Sequence, residues 1–187
     1  MNSHLNLIGS IIIGGLMFLA INRFNASVMQ NSHEVTMDTN AGKNLTAISK
    51  LIQFDFNRIG LGVPVDITPI LTADTSRTVF LTDIDRNGVV DTLSYILSDP
   101  SQAYGTENPR DRILYRRINS ETLTDAALGV TRFRMRYYDS MGNETYDTSI
   151  MRRLDISLTV ESTMNYDLKY SKFFWQASFS PPNLARF

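Results

Sequence analysis

Residues 5 to 21 read LNLIGSIIIGGLMFLAI, seventeen consecutive residues without a charged side chain. As an α-helix rising about 1.5 Å per residue, this stretch spans roughly 26 Å, close to the hydrocarbon thickness of a bilayer. No lysine or arginine precedes it, which is unlike the basic start of a cleavable signal peptide. The stretch therefore predicts a helix that lies in a membrane or packs against copies of itself.

A helical pattern continues well beyond this apolar segment. No proline occurs between Met1 and Gly62, and proline is the residue that most strongly interrupts helices. An amphipathic stripe suited to covering a β-sheet is formed by Leu45, Ile48, Leu51, Ile52 and Phe56. Gly60, followed by Pro64, predicts the end of the helix. We therefore predict one long helix that ends near residue 60.

The hydrophobic period changes to two after Pro64, which predicts β-strands. Residues 78–97, TVFLTDIDRNGVVDTLSYIL, are typical of two strands joined by a tight turn at Asn87 and Gly88. Residues 130–139, VTRFRMRYYD, and residues 152–161, RRLDISLTVE, each alternate apolar and polar side chains. We expect these two strands to pair, with arginines of the first opposite acidic residues of the second.

Together these patterns predict an α+β fold. A long N-terminal α-helix, apolar in its first third and amphipathic in its last third, is expected to pack on an antiparallel β-sheet head. The helix is assigned to residues 1–60, with a membrane or filament-core segment over 1–22 and a stalk and sheet-packing part over 23–60. The β-rich globular head is assigned to residues 61–187.

The composition argues against two classes of function. Lysine and arginine number 18 against 19 acidic residues, so the chain lacks the basic excess that binding to a phosphate backbone needs. It has no cysteine, and hence neither a disulfide framework nor a thiolate metal site. The sequence contains no nucleophile elbow and no phosphate-binding loop. We expect a protein that is not an enzyme and has no nucleic acid partner.

The N-terminal segment carries the residues expected to hold a filament together. The side chains expected to bury against equivalent helices of other copies are those of Leu5, Ile8, Ile12, Leu16 and Leu19. Small residues that allow close approach between helix backbones are Gly9, Ser10, Gly14 and Gly15. Glycine is also common in single membrane anchors, so these residues are compatible with one helix in lipid as well.

Residues 83–91, DIDRNGVVD, match the first nine positions of an EF-hand-type calcium loop. The candidate ligands are Asp83, Asp85, Asn87, the carbonyl of Val89, and Asp91. The twelfth position, where a bidentate glutamate usually completes the coordination sphere, is Ser94, and the flanking residues read as strands. Structural calcium is therefore one interpretation and a plain charged hairpin turn is the other. No cofactor is required by either.

Several local strings resemble the type IV pilin superfamily, and within it the minor-pilin and J-type pseudopilin group. The similar strings are QFDFNRIGLGV (53–63), DIDRNGVVDTLSYIL (83–97), ILYRRI (113–118), LGVTRFRMRYYDSMGN (128–143) and RRLDISLTV (152–160). The resemblance implies a lollipop fold, insertion in the inner membrane, and assembly by packing of the N-terminal helices into an extracellular filament. It also implies a pilus or secretion assembly machinery as partner, and it leaves open whether a leader was cleaved before Met1.

Three functional interpretations stay open at this point. The first is a structural subunit of a pilus-like filament, whose main partners are copies of itself. The second is a low-copy minor pilin or type II secretion pseudopilin, which is favoured by Leu5 at the position where the family carries a glutamate. The third, from a different class, is a signal-anchored periplasmic binding domain. Self-assembly of the purified protein separates the first two.

Overall fold

The computed structural model describes residues 2–121, 124–165 and 169–186 of the chain, without the side chains of residues 2, 5, 124–126 and 185–186. The described residues contain one α-helix, α1 (Asn2–Phe56). The strands are β1 (Ile70–Ala73), β2 (Arg77–Thr82), β3 (Asp91–Leu97), β4 (Arg112–Ile118), β5 (Thr124–Tyr138), β6 (Arg153–Glu161) and β7 (Lys172–Phe179). Short 3-10 helices span Pro100–Gln102 and Pro182–Arg186.

The chain forms two compact units, Met1–Met37 and Asp38–Phe187. The first unit consists of the apolar and polar turns of α1. The second unit contains the last turns of α1 together with the sheet. The second unit is therefore where a hydrophobic core is found.

The seven strands form one sheet in which every strand is antiparallel to its neighbours. Their order in the sheet is their order in the sequence, β1 to β7. One long helix with an antiparallel sheet is an α+β fold, so the predicted fold class is confirmed. The helix ends at Phe56, and residues 57–62 form turns in which Gly60 and Gly62 have positive φ.

The amphipathic stripe at the end of α1 covers one face of the sheet. Ile48, Ile52 and Phe56 are fully buried, as predicted from their spacing. The Phe56 ring lies 5.2 Å from the ring of Phe80 and 5.8 Å from that of Phe179, centroid to centroid. Burying each such side chain contributes roughly 1.5 to 3 kcal/mol. The stripe therefore joins the first strands of the sheet to the last.

The alternation predicted for the later strands is also confirmed. On β5, Phe133, Met135 and Tyr137 are buried, while the arginine that precedes each of them lies on the opposite face. A register shift interrupts the pairing of β5 between Val130 and Arg132. Just before it, Gly129 has a φ of +83°, and a Cβ there would lie 2.8 Å from the carbonyl oxygen of Glu161. Only glycine fits this position without moving the backbone of β6.

Candidate functional site

The apolar turns of α1 expose the residues predicted to pack in a filament core. The side chains of Ile8, Ile12, Leu16 and Leu19 are between 57 and 62% exposed, while that of Leu5 lies outside the described side chains. The other faces of the same turns are equally apolar and exposed, with Ile11 at 65% and Phe18 at 67%. A helix that is apolar all round needs apolar surroundings on every side.

The small residues of this segment leave open space along the helix. A Cβ added at Gly9, Gly14 or Gly15 would meet no atom within 4 Å. The hydroxyl of Ser10 donates to the carbonyl of Leu7 at 2.9 Å, so it is satisfied within its own helix. Within the described residues, α1 is the helix with the length and composition to cross a membrane. Its position near the N-terminus is shared by membrane anchors and signal segments.

A buried ion pair fixes the last turns of α1 to the centre of the sheet. Asp55 is fully buried, and its carboxylate accepts hydrogen bonds from Arg116 Nε at 2.7 Å and Nη2 at 3.1 Å. The hydroxyl of Tyr95 on β3 donates to the same carboxylate. Arg116 lies on β4, so one carboxylate connects the helix to two adjacent strands. The planar guanidinium matches the carboxylate with two parallel bonds, which fixes direction as well as distance.

Burial and charge explain the protonation states in this cluster. Burial raises the pKa of Tyr95 well above its usual value, and the adjacent Asp55 carboxylate raises it further. For Arg116, burial alone would lower the pKa, but the hydrogen bond and charge of Asp55 outweigh it, so the net shift is upward. The cluster thus consists of a neutral phenol and a charged guanidinium that both donate to one carboxylate. Its role is structural, and residue spacing did not predict it.

The carboxylate of Asp111 is buried without an ion pair among the described residues. Asp111 is 1% exposed, and neither of its carboxylate oxygens makes a hydrogen bond. Nearby Glu161 is also buried, but it is paired with Arg110 at 2.7 Å and with the amide of Asn108 at 3.0 Å. Burial raises the pKa of Asp111 to about 6, opposed by the Thr106 hydroxyl and reinforced by the charge of Glu161. Folding therefore favours the protonated form of Asp111.

We expect Asp111→Asn to stabilise the protein by about 2 kcal/mol at pH 7.5 and to have little effect at pH 4. The folded pKa lies above the unfolded value, so the stability that the protonated carboxyl contributes is present at pH 4 and lost as the pH rises through 6. Thermal melts of both proteins at the two pH values measure this difference. Asp66→Asn, at an exposed loop position, is the control. An equal shift at both pH values would contradict the explanation.

The candidate calcium loop brings its three aspartates together. One carboxylate oxygen from each of Asp83, Asp85 and Asp91 lies within 4.8 Å of the other two. The Asp83 carboxylate accepts the backbone N–H groups of Asn87 and Gly88, both at 3.0 Å. These carboxylates therefore also hold the turn through hydrogen bonds.

The turn between β2 and β3 differs from the sequence expectation, while ligation by Asn87 and by the Val89 carbonyl stays a prediction. The Asn87 amide oxygen accepts the N–H of Val89 at 2.7 Å, and the Val89 side chain is exposed. The connection is the eight-residue loop 83–90 between β2 and β3, so the tight two-residue turn is wrong. Positive φ values occur at Arg86 and Gly88 and not at Asn87. Backbone N–H groups of the loop donate to its aspartate carboxylates, and this arrangement requires the longer connection.

Structural calcium at this loop stays a prediction. If three carboxylates share one cation, excess calcium is expected to raise the melting temperature of the wild-type protein above its value in chelator. Asp85→Asn removes the exposed carboxylate and should abolish that difference. Identical wild-type melts in calcium and in chelator would contradict the prediction. Magnesium at the same concentration is the control for ionic strength.

Arginines of β5 were predicted to pair with acidic residues of β6. The strand register places such residues opposite each other, but the described ion pair is a different one. Arg136 lies directly opposite Asp155 in the register of the two strands. The described ion pair of Asp155 is instead with Arg153 on its own strand, at 3.7 Å, and the hydroxyl of Ser178 donates to the same carboxylate. On a solvated face, strand register alone does not determine which charged side chains form an ion pair.

Comparison with known proteins gives no family assignment. No protein-family model matches the chain, and a search of curated proteins finds no match. The long N-terminal helix and the antiparallel sheet that its last turns cover are compatible with a pilin-like fold.

Proposed function

We propose that this protein is a structural subunit of an extracellular type IV pilus-like filament, held together by its N-terminal hydrophobic helices. The observation that carries the proposal is the apolar segment of α1, whose side chains are exposed on every face. Phe18 and Ile11 are about two-thirds exposed. Such a surface is stable only in lipid or against other apolar helices. A membrane before assembly and a filament core after it supply these two environments.

The energetics favour a polymer of helices. Each buried Leu or Ile contributes roughly 1.5 to 3 kcal/mol when removed from water. Moving such a side chain from lipid to a helix interface releases less free energy than moving it out of water. Close packing between helices therefore has to supply the difference. The open backbone at Gly9, Gly14 and Gly15 allows that close approach. The sheet unit then determines what the filament contacts, and the assembly machinery of a pilus or secretion system is the expected partner.

A second candidate is a low-copy minor pilin or type II secretion pseudopilin. The observation that favours it is Leu5, because a carboxylate at that position in pilins is thought to meet the terminal amine of a neighbouring subunit. Without the carboxylate, docking relies on apolar packing alone. Such a subunit would cap or prime filaments made of another protein. The two candidates share the helix and differ in stoichiometry.

Electron microscopy of material sheared from cells that express the chain tests the proposal, with mass spectrometry to identify the subunit. Filaments composed chiefly of this protein support the major-subunit proposal. Filaments in which it is a trace component support the minor-pilin candidate. The protein confined to the membrane fraction, with no filaments, contradicts the major-subunit proposal and favours a minor pseudopilin or an anchored binding domain. Cells that carry the empty vector are the control.

A further inference from the structure

A row of three arginines lies on the solvent face of β5. Arg132, Arg134 and Arg136 alternate with the buried Phe133 and Met135. Alternate residues of a strand lie about 7 Å apart, so three like charges are held close together. Across the described residues, none of the three guanidinium groups forms an ion pair or a hydrogen bond. The row is therefore a cationic surface whose guanidinium groups have no direct partner among the described residues.

The three arginines line one hollow of about 190 Å³ on this face of the sheet. The remaining residues of the hollow come from β6 and β7, and all but one are polar or aromatic: Asp155, Ile156, Ser157, Phe174 and Gln176. The strand register places Ser157 between Arg134 and Gln176. The Phe174 side chain is 60% exposed. Cationic, neutral polar and aromatic groups thus occur side by side.

A second hollow, of about 310 Å³, continues the cationic surface beyond β5. Arg132 and Arg134 line it from one side, and Arg112 and Ser76 are among its other residues. Arg112 donates one hydrogen bond to the carbonyl of Ser98 at 3.3 Å. Two open hollows that share a pair of arginines fit an extended ligand better than a compact one.

We propose that this arginine face, defined as Arg132, Arg134, Arg136, Ser157, Phe174 and Gln176, binds an acidic polysaccharide. Each guanidinium presents a planar fork that matches a carboxylate or a sulfate. The serine hydroxyl and the glutamine amide supply donors and acceptors for sugar hydroxyls. The exposed phenyl ring offers an apolar surface with an electron-rich face, against which the C–H face of a sugar ring packs.

Asp155 favours a glycan over nucleic acid as the ligand. Its carboxylate lines the same hollow, and it can accept hydrogen bonds only from neutral or cationic donors. Sugar hydroxyls are such donors, and an acidic polysaccharide carries them beside each of its own acidic groups, whereas an internal nucleotide of DNA carries no hydroxyl. The proposal concerns the sheet unit and does not depend on whether the chain forms filaments.

Binding of the full chain in detergent to immobilised heparin and alginate tests the proposal at 150 mM salt. Heparin supplies sulfates and carboxylates, alginate supplies carboxylates alone, and dextran is the uncharged control. The variant R132Q/R134Q/R136Q is expected to lose at least tenfold in affinity for at least one charged glycan. Phe174→Ala, at an exposed position, should lose several-fold without any change of charge. Neither change reaches the core, so circular dichroism should be unaltered.

A matched charge control is K43Q/K50Q/R86Q, which removes three charges at exposed residues that do not line the hollow. Its affinity should stay within twofold of wild type, because screening limits the effect of distant charges. An equal loss in both triple variants would overturn the proposal, since bulk charge would then explain binding. Wild-type protein that binds neither charged glycan, or that binds single-stranded DNA more tightly than both, would overturn it as well.

Discussion

Replacing Ile12 by lysine is expected to abolish filament assembly while leaving the protein in the membrane. Ile12 lies near the middle of the seventeen uncharged residues, with its side chain 57% exposed in the single chain. A lysine at the centre of a membrane helix costs about 2.5 to 3.5 kcal/mol, which the other apolar residues offset during insertion. In a filament core the same charge would recur at every subunit contact. Electron microscopy of sheared material, with membrane flotation in parallel, measures both outcomes.

Two further substitutions make this experiment specific. Ile12→Leu keeps volume and hydrophobicity and should assemble normally. Asn31→Lys places the same charge on the exposed polar turns of α1 and should also assemble. Normal filaments from the Ile12→Lys protein would contradict the proposal that this segment forms the filament core. Loss of filaments with both lysine variants would indicate that charge anywhere on α1 is disruptive.

Replacing Asp55 by alanine is expected to destabilise the sheet unit by about 3 to 5 kcal/mol. The substitution leaves the Arg116 guanidinium without its carboxylate and the Tyr95 hydroxyl without its acceptor, both facing the core. An unpaired buried charge costs far more than the pair contributes when intact. Urea unfolding of the protein in non-ionic detergent, followed through Trp175, measures the loss. Trp175 is suited to this because its ring lies 6.4 Å from that of Phe179.

The matched control is Asp38→Ala, which removes an exposed carboxylate from the same helix and should change stability by less than about 0.5 kcal/mol. The triple variant D55L/R116M/Y95F removes all the polar groups together. It should recover much of the lost stability, because apolar residues of similar size can replace a buried ion pair. A triple variant as unstable as Asp55→Ala would show that packing, and not the orphaned charge, explains the loss.

Much of the fold was predictable because strand and helix periods are set by geometry. The period of two in residues 130–139 identified Phe133, Met135 and Tyr137 as buried, and the structure buries all three. The stripe through Ile48 and Ile52 likewise identified the covering face of α1. These predictions used local spacing alone, and no knowledge of long-range contacts was needed.

The burial of Asp55 and Asp111 was not predicted, for different physical reasons. Asp55 was detectable, since positions 48, 52, 55 and 59 follow helical spacing and place it on the buried stripe. Its partner Arg116 was not, because 61 residues separate them and register alone does not select among neighbouring arginines. Asp111 gave no signal, as it precedes β4 in a loop and its burial depends on side chains from distant segments. The row of three arginines on β5 could be read from the sequence. The hollow beside it could not, because its residues come from three strands that only the folded sheet brings together.

The strand order also determines when the core closes. Because each strand pairs with its predecessor in the sequence, the sheet can lengthen in step with synthesis, one hairpin at a time. The covering stripe of α1 is made before any strand, yet Phe56 meets Phe179 of β7, and buried Leu184 follows later still. The nascent chain therefore carries a partly uncovered apolar stripe until β7 emerges, although Phe80 of β2 can cover part of it earlier. Retaining the first unit in a bilayer during that interval would keep such chains apart until each head is complete.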